Sequence, residues 1–424
     1  MYDVAIKKGL CYINGEFKAL NVGIEGDKIA YIGKDNISGD IEIDGTSKLV
    51  MPGLFNAHTH LAMTLFRGFA EDMPLMDWLK TKIWRAERLL TSNDVYWGSM
   101  LGIMEMIKTG TTCFSDLYIY MDKVAQACGE SGIRAVLCYG MADRGDSERA
   151  KKELKIGEEF IKKWDGAYEG RIKAVFGPHA PYTCSLEFLR DIRNRTDEIK
   201  TGIHIHISET KEEVENFTKI HSKPPVEKLD EINFLKSDTV IAHGVWLTDV
   251  ELKILAKRGV SVAHNPVSNL KLASGIARVT EMVKKGINVC LGTDGAASNN
   301  TYNLFEEIKL TSLLQKVKTG KADALHARDV LEMATKNGYS AYGIDGGELK
   351  EGGLADIILL NRKSFNFIPL YNPLYAIVYS SMGCEVTHTI VGGKILMEER
   401  NLLTIDEQKV MERVERIKEK FRSD

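Results

Sequence analysis

LVMPGLFNAHTH, residues 49–60, is the stretch on which the reading of this chain turns. The apolar run Leu49–Phe55 leads into Asn56-Ala57-His58-Thr59-His60. Residues i and i+2 of a strand face the same side, so His58 and His60 can present two imidazoles to one point. Similar short, β-branched runs recur at Thr111–Ser115, Arg134–Cys138, Ile172–Phe176, Ile203–Ile207, Val240–Ala242, Val260–Ala263 and Val289–Gly292. Between them, segments such as Asp122–Glu130, Ser147–Lys163, Leu186–Arg193, Thr248–Ala256 and Thr280–Lys285 carry helical periodicity. This alternation predicts a parallel (β/α)8 TIM barrel, whose working residues project from the C-terminal strand ends.

Histidines and carboxylates at the run ends fit that expectation. Asp116 comes after the second run and Pro178-His179 after the fourth. His204 and His206 lie on the fifth, with Glu209 just beyond. His243, His264-Asn265 and Thr293-Asp294-Gly295 close the sixth, seventh and eighth. His206 and Asp294 complete a metal-ligand set with His58 and His60. Three neutral nitrogens and one carboxylate suit a single divalent ion, zinc or alternatively ferrous iron, with an open position for water. His204 shares a face with His206 and competes with it; the position nearer the strand end is preferred, leaving His204 inside the barrel. Glu209 lies close enough to reach a water at the ion.

Outward from the barrel, Val4–Ile6, Leu10–Ile13, Leu20–Glu25 and Lys28–Ile32 read as strands broken by Asn14-Gly15 and Gly26-Asp27. Ala355–Leu360, Thr387–Val391 and Lys394–Met397 read the same way, with Gly392-Gly393 as a turn. Residues 1–50 and 352–424 are therefore expected to form one small β-sandwich domain, beside a barrel over 51–351. Glu407 to Arg422 reads as a charged amphipathic helix with a solvated face.

Composition excludes several function classes. The 424 residues are 44% hydrophobic and 27% charged, with a net charge of −3. No basic surplus points to nucleic acid. The cysteines are odd in number, 7, and lack a C-x-x-C pair, which argues against a disulfide framework or thiolate zinc cluster. MYDVAIKKGL carries no leader pattern and no apolar stretch would span a bilayer, so a cytoplasmic enzyme is expected. Cys184 has no evident base and reads as a loop or buried thiol. His221, His326 and His388 read as surface or packing residues. The H-x-E with P-C-x-x-C signature of cytidine-type deaminases is absent, and the GTDG at 292–295 lacks the lysine of a phosphate loop.

PGLFNAHTH (52–60), GPHAPYTC (177–184), HISE (206–209), AHGVWL (242–247), AHNPVSNLKL (263–272) and LGTDGAASNN (291–300) resemble the amidohydrolase superfamily. They are most similar to its 5-methylthioadenosine/S-adenosylhomocysteine deaminase family, which includes archaeal 5′-deoxyadenosine deaminases. The resemblance spans nearly the whole chain. It implies one metal ion on His58, His60, His206 and Asp294. It makes Glu209 the proton shuttle and His243 the residue that contacts the attacking water. Glu87, in IWRAER, and His179 would contact a ribose; Trp78 would lie near the base, and Glu209 and Asp294 would also face the substrate.

One segment departs from the family pattern. Some relatives carry an arginine at the end of the third strand; here CYGMADRGDSER (138–149) places Tyr139 there. Arg149 is matched to a second family arginine, and Arg144 offers another reach from the loop. The departure leans toward small 5′ groups. Binuclear relatives use a lysine at the end of the fourth strand, whereas Lys173 falls near its start, which favours one metal. The implied reaction is hydrolytic deamination of an adenosine-type nucleoside to its inosine analogue and ammonia. The alternatives are deamination of another ring such as guanine, hydrolysis of a triazine, or a non-catalytic metal-binding scaffold. A dimer or tetramer is expected.

Overall fold

The computed structural model describes residues 1–421. The chain opens with five strands, β1 (Tyr2–Ile13), β2 (Glu16–Glu25), β3 (Lys28–Gly33), β4 (Gly39–Asp44) and β5 (Lys48–Pro52). Eight parallel strands then form the central sheet in sequential order. They are β6 (Leu54–Thr59), β7 (Thr111–Tyr118), β8 (Arg134–Met141), β9 (Ile172–Pro178), β10 (Ile203–Ile207), β11 (Thr239–His243), β12 (Ser261–His264) and β13 (Val289–Leu291). Seven neighbouring pairs are parallel ladders. The seam between β13 and β6 is held by the Asp294 N–H to His58 O at 2.9 Å. Asn56 reinforces it, accepting from Thr293 N at 2.9 Å and donating to Thr293 Oγ1 at 2.7 Å. Barrel closure and site assembly thus use the same few residues.

The second sheet joins β1 to β5 with β14 (Ile357–Asn361), β15 (Val386–Val391), β16 (Lys394–Glu398) and β17 (Asn401–Leu402). The two chain segments meet where β5 pairs antiparallel with β14, Val50 opposite Leu359. Val4, Ile6, Val22, Ile24, Val50, Ile357 and Ile390 pack as the sheet's own apolar cluster. A buried ion pair ties it to the barrel. Arg134 Nε lies 2.8 Å from Asp356 Oδ2, and that oxygen also accepts from the Tyr339 hydroxyl at 2.7 Å.

The run Leu49–Phe55 is not one strand. Lys48–Pro52 belongs to the terminal sheet and the first barrel strand begins at Leu54. The break is Gly53, where an added Cβ would lie 2.0 Å from Thr112 Oγ1, so only glycine lets the chain cross between sheets there. The apolar run is continuous because both strands are fully buried. Val4–Ile6 and Leu10–Ile13 are likewise one strand with an irregularity between Ile6 and Gly9.

Two long helices, Ser92–Lys108 and Leu304–Thr319, have no counterpart among the segments read as helical. The C-terminal helix runs Glu407–Lys418, followed by a short turn to Phe421; Arg422 lies outside the described residues. Its charged face is solvated, but Val410, Ile417 and Phe421 are buried. The Phe421 ring packs edge-on against Phe66 at 5.2 Å, a barrel-side contact. All cysteines are free. No helix among the described residues is long and apolar enough to cross a membrane.

Candidate active site

The donors come from strand ends, as period 2 requires. His58 and His60 lie at the end of β6, His206 on β10, His243 at the end of β11 and Asp294 just after β13. His243, Asp294 and Ser208, two residues past His206, are held in left-handed backbone, with φ of +73°, +64° and +56°. Such conformations persist where the surroundings over-determine them. Ser208, for example, has its carbonyl fixed by Val245 N at 2.9 Å and Trp246 N at 3.0 Å.

Asp294 Oδ1 lies 3.2 Å from His60 Nε2 and 3.5 Å from His58 Nε2, and His60 Nε2 lies 3.3 Å from His206 Nε2. Donors bound to one ion at about 2.0–2.1 Å in a tetrahedron are separated by about 3.3 Å. Those three of the six donor pairs are spaced for one ion, and His58, His60 and His206 gather within 4.8 Å of one another, as do His58, His243 and Asp294. His58 Nε2 is buried with no hydrogen bond among the described residues, an orphan that a cation would satisfy. The other atoms of the set are already occupied. Asp294 Oδ2 accepts from Ser268 Oγ at 2.6 Å and Ser298 Oγ at 2.8 Å. His60 Nδ1 faces Leu117 O at 2.5 Å, and His206 Nδ1 faces His179 O at 2.7 Å. The residues present fit one metal ion.

The electrostatics agree. Burial pushes His58 down to about 3 and holds His206 well below the usual imidazole range, so both are neutral. Burial works against ionisation of Asp294, yet the facing His58, His60 and His243 hold its carboxyl well below normal. Burial raises Glu209, which lies 3.7 Å from His243 Nε2 and accepts from Ser274 Oγ at 3.4 Å. A carboxyl shifted toward neutrality is suited to take and return a proton. Burial lowers His243, but Glu209 and Asp294 more than offset it and its pKa is raised. His243 Nδ1 is oriented by Asn269 Oδ1 at 2.9 Å.

Above these groups lies a cavity of about 240 Å³. His60, His206, Glu209, His243 and Asp294 form its floor, and His58 lies beneath. Its other wall comes from short helices over 75–87, the loop after β8 and the first turn of the helix Ser147–Trp164, and includes Trp78, Trp84, Glu87, Arg144 and Arg149. Trp78 donates its indole N–H to Ala70 O at 3.1 Å, which leaves the ring face for packing. Burial raises Glu87 to about 7, with the Tyr118 hydroxyl opposing. His179 lines the cavity from just beyond the end of β9, beside His206; burial lowers it to about 4, and its Nδ1 meets Thr183 Oγ1 at 2.9 Å. Arg149 is half-exposed and paired with Glu153 at 3.6 Å; Arg144 lies over the Trp84 ring at 5.8 Å. A second hollow of about 620 Å³ adjoins the cavity and shares Leu75, Trp84, Arg144, Tyr182 and Thr183 with it.

Every residue assigned to the site from sequence thus falls at this cavity or directly beneath it. His204 does not face the donor centre: its Nε2 lies 2.8 Å from His58 Nδ1. Lys173, far from the mouth, donates to Tyr342 O at 2.6 Å. Sequence reasoning missed Ser268, Asn269, Ser274 and Ser298, which orient Asp294, His243 and Glu209. AHNPVSNLKL and LGTDGAASNN contained three of these four, but no spacing rule marks a serine as a carboxylate partner.

A barrel with strand-end histidines, a strand-eight aspartate and a second sheet defines a class, and the chain belongs to it: residues 49–396 match the amidohydrolase family. Within the class it is 50% identical over 415 residues to 5-methylthioadenosine/S-adenosylhomocysteine deaminase 2 of Archaeoglobus fulgidus, covering 98% of each chain. It is 49% identical over 426 residues to the 5′-deoxyadenosine deaminase of Methanosarcina barkeri, covering 99% of each. Among solved structures, a zinc-bound adenosine deaminase from Xanthomonas campestris superposes with a TM-score of 0.96 at 29% identity, over 100% of this chain and 99% of that one.

Proposed function

We propose that this chain is a metal-dependent aminohydrolase that converts an adenosine-type nucleoside to its inosine analogue and ammonia. One observation carries the reading: a donor set spaced for one metal ion, a raised buried carboxyl at Glu209 and a second buried carboxyl at Glu87 meet at one nucleoside-sized hollow. The named relatives act on such nucleosides, and the zinc-bound neighbour favours zinc over ferrous iron.

His58, His60, His206 and Asp294 would hold the ion, which when bound brings the pKa of water from 15.7 toward about 7. Glu209 takes the proton of the attacking water and hands it to the ring nitrogen beside the carbon under attack. Protonation there prevents negative charge from building on the ring. His243 and Asp294 orient the incoming oxygen, and ammonia leaves. Glu87 and His179 hold the ribose, Trp78 packs by the base, and the adjoining hollow takes the 5′ substituent. Tyr139 in place of an arginine favours 5′-deoxyadenosine and 5′-methylthioadenosine over carboxylate-bearing S-adenosylhomocysteine, and Arg149, paired only weakly with Glu153 at 3.6 Å, is the cation free to meet a longer 5′ group. The proposed units are 1–50 with 352–424, and 51–351, with β5 carrying the first boundary on to Pro52; a cytoplasmic homo-oligomer is the proposed setting.

The test is a deamination screen over adenosine, 5′-deoxyadenosine, 5′-methylthioadenosine and S-adenosylhomocysteine, read by ultraviolet absorbance, with metal analysis of the same sample. One metal per chain and the adenine-to-hypoxanthine band shift are expected. A metal-replete protein that deaminates guanine alone, or no purine, refutes the reading.

A further inference from the structure

The groups behind the three imidazole donors are not alike. His60 and His206 each place Nδ1 against a backbone carbonyl. A carbonyl only accepts, so each Nδ1 must carry the ring proton and each Nε2 keeps a lone pair. His58 has no such carbonyl. Its Nδ1 faces Nε2 of His204 at 2.8 Å, and a neutral imidazole can accept or donate there. The direction must be fixed further back. His204 Nδ1 lies 2.6 Å from Tyr342 Oη, and that hydroxyl can donate to Ala57 O at 3.2 Å or Ser115 Oγ at 2.8 Å. Either bond turns the phenol proton away from His204.

We propose that Tyr342 and His204 are positioning residues that form a one-way hydrogen-bond chain and fix the proton of His58 on Nδ1. The phenol donates to Ala57 O or Ser115 Oγ. His204 Nδ1–H donates to the phenol oxygen, and His58 Nδ1–H donates to His204 Nε2. His58 Nε2 is then bare toward the donor centre. Run in reverse, the same chain puts the proton on His58 Nε2, in the path of a cation.

The chain spans the barrel. The Tyr342 ring stacks on Phe55 near the start of β6, at 5.7 Å and 16°, and its carbonyl takes Lys173 at the start of β9. Tyr342 therefore enters from the end opposite the cavity, a face usually associated with stability. Both members are fully enclosed: His204 is 0% exposed and Tyr342 6%.

The inference rests on the metal-site reading, and the experiment separates the two. Wild type, Tyr342→Phe, His204→Leu and His204→Gln are loaded with zinc. Zinc affinity and release to a chromophoric chelator are measured, with melting curves to verify the fold and 15N imidazole spectra to report tautomers. Tyr342→Phe and His204→Leu should bind zinc about 10–100-fold more weakly, the usual cost of losing a group that orients a ligand. His204→Gln should rescue, because its amide oxygen accepts from His58 while its amide N–H donates to Tyr342. A folded Tyr342→Phe that holds zinc as tightly as wild type overturns the relay alone. So does a His204→Gln as weak as His204→Leu. A wild type that takes up no zinc removes the metal-site reading and the relay with it.

Discussion

The cavity has two walls of different make. One consists of strand ends: His58, His206, His243 and Asp294 are almost wholly buried and each is fixed by hydrogen bonds to a neighbouring element. The other consists of the short helices over 75–87, the loop after β8 and the helix turn that follows it, where Glu87, Arg144 and Arg149 project with fewer partners. The first wall is pre-organised, as chemistry at a developing charge demands. The second can be rebuilt without disturbing the barrel, as expected where a scaffold adapts to substrates. The division implies that strand-end substitutions act on kcat and helix-wall substitutions act on KM.

The largest expected effect is at Glu209. Glu209→Gln removes the proposed proton carrier and nothing from the proposed donor set, so kcat should fall by about 10²–10⁴-fold. Metal content and KM should be nearly unchanged. Normal turnover in this variant would dissolve the contrast between the walls.

Glu87 provides the middle test. Loss of a hydrogen bond from a charged group costs about 1.5–3 kcal/mol, so Glu87→Gln should raise KM for the nucleoside by about 10-fold or more while kcat changes little. The sign of the pH effect follows from burial. The Glu87 carboxyl is raised to about 7, so it is protonated below that value and ionised above it. An ionised carboxylate accepts ribose hydroxyls best, so wild-type KM should fall as pH rises through about 7. Glu87→Gln should flatten that profile; an unaltered profile would assign the titration to another group.

The smallest effect belongs to Arg149, whose exposed pairing with Glu153 is of a kind worth about 0–1 kcal/mol. Arg149→Ala should leave 5′-deoxyadenosine turnover within about fivefold of wild type. A larger loss confined to S-adenosylhomocysteine would show that the guanidinium leaves Glu153 for the substrate.

The two walls were also unequally legible in sequence. His58, His60, His206, His243 and Asp294 are visible because strand period and strand-end position are local properties, readable at each run. Glu87 and Trp78 have no such signal. They lie where two short helical turns flank a π-helical stretch, Leu79–Ile83, and only the resemblance pointed to them. Tyr342 is 138 positions from His204 and carries no motif, so no pattern could join them. The Leu49–Phe55 run concealed the crossing at Gly53, because burial on both faces erases the alternation that would separate two strands.

The crossing at Gly53 also bears on synthesis. β5 leads straight into the strand that bears His58, yet its antiparallel neighbour β14 emerges only after roughly 300 further residues, ~15–60 s later at typical rates of translation. During that interval the apolar edge of β5 has no antiparallel mate, and an open edge is a template for pairing with another nascent chain. That edge stays open until residue 361 has cleared the exit tunnel, a window in which wide spacing of ribosomes or a chaperone would limit such pairing.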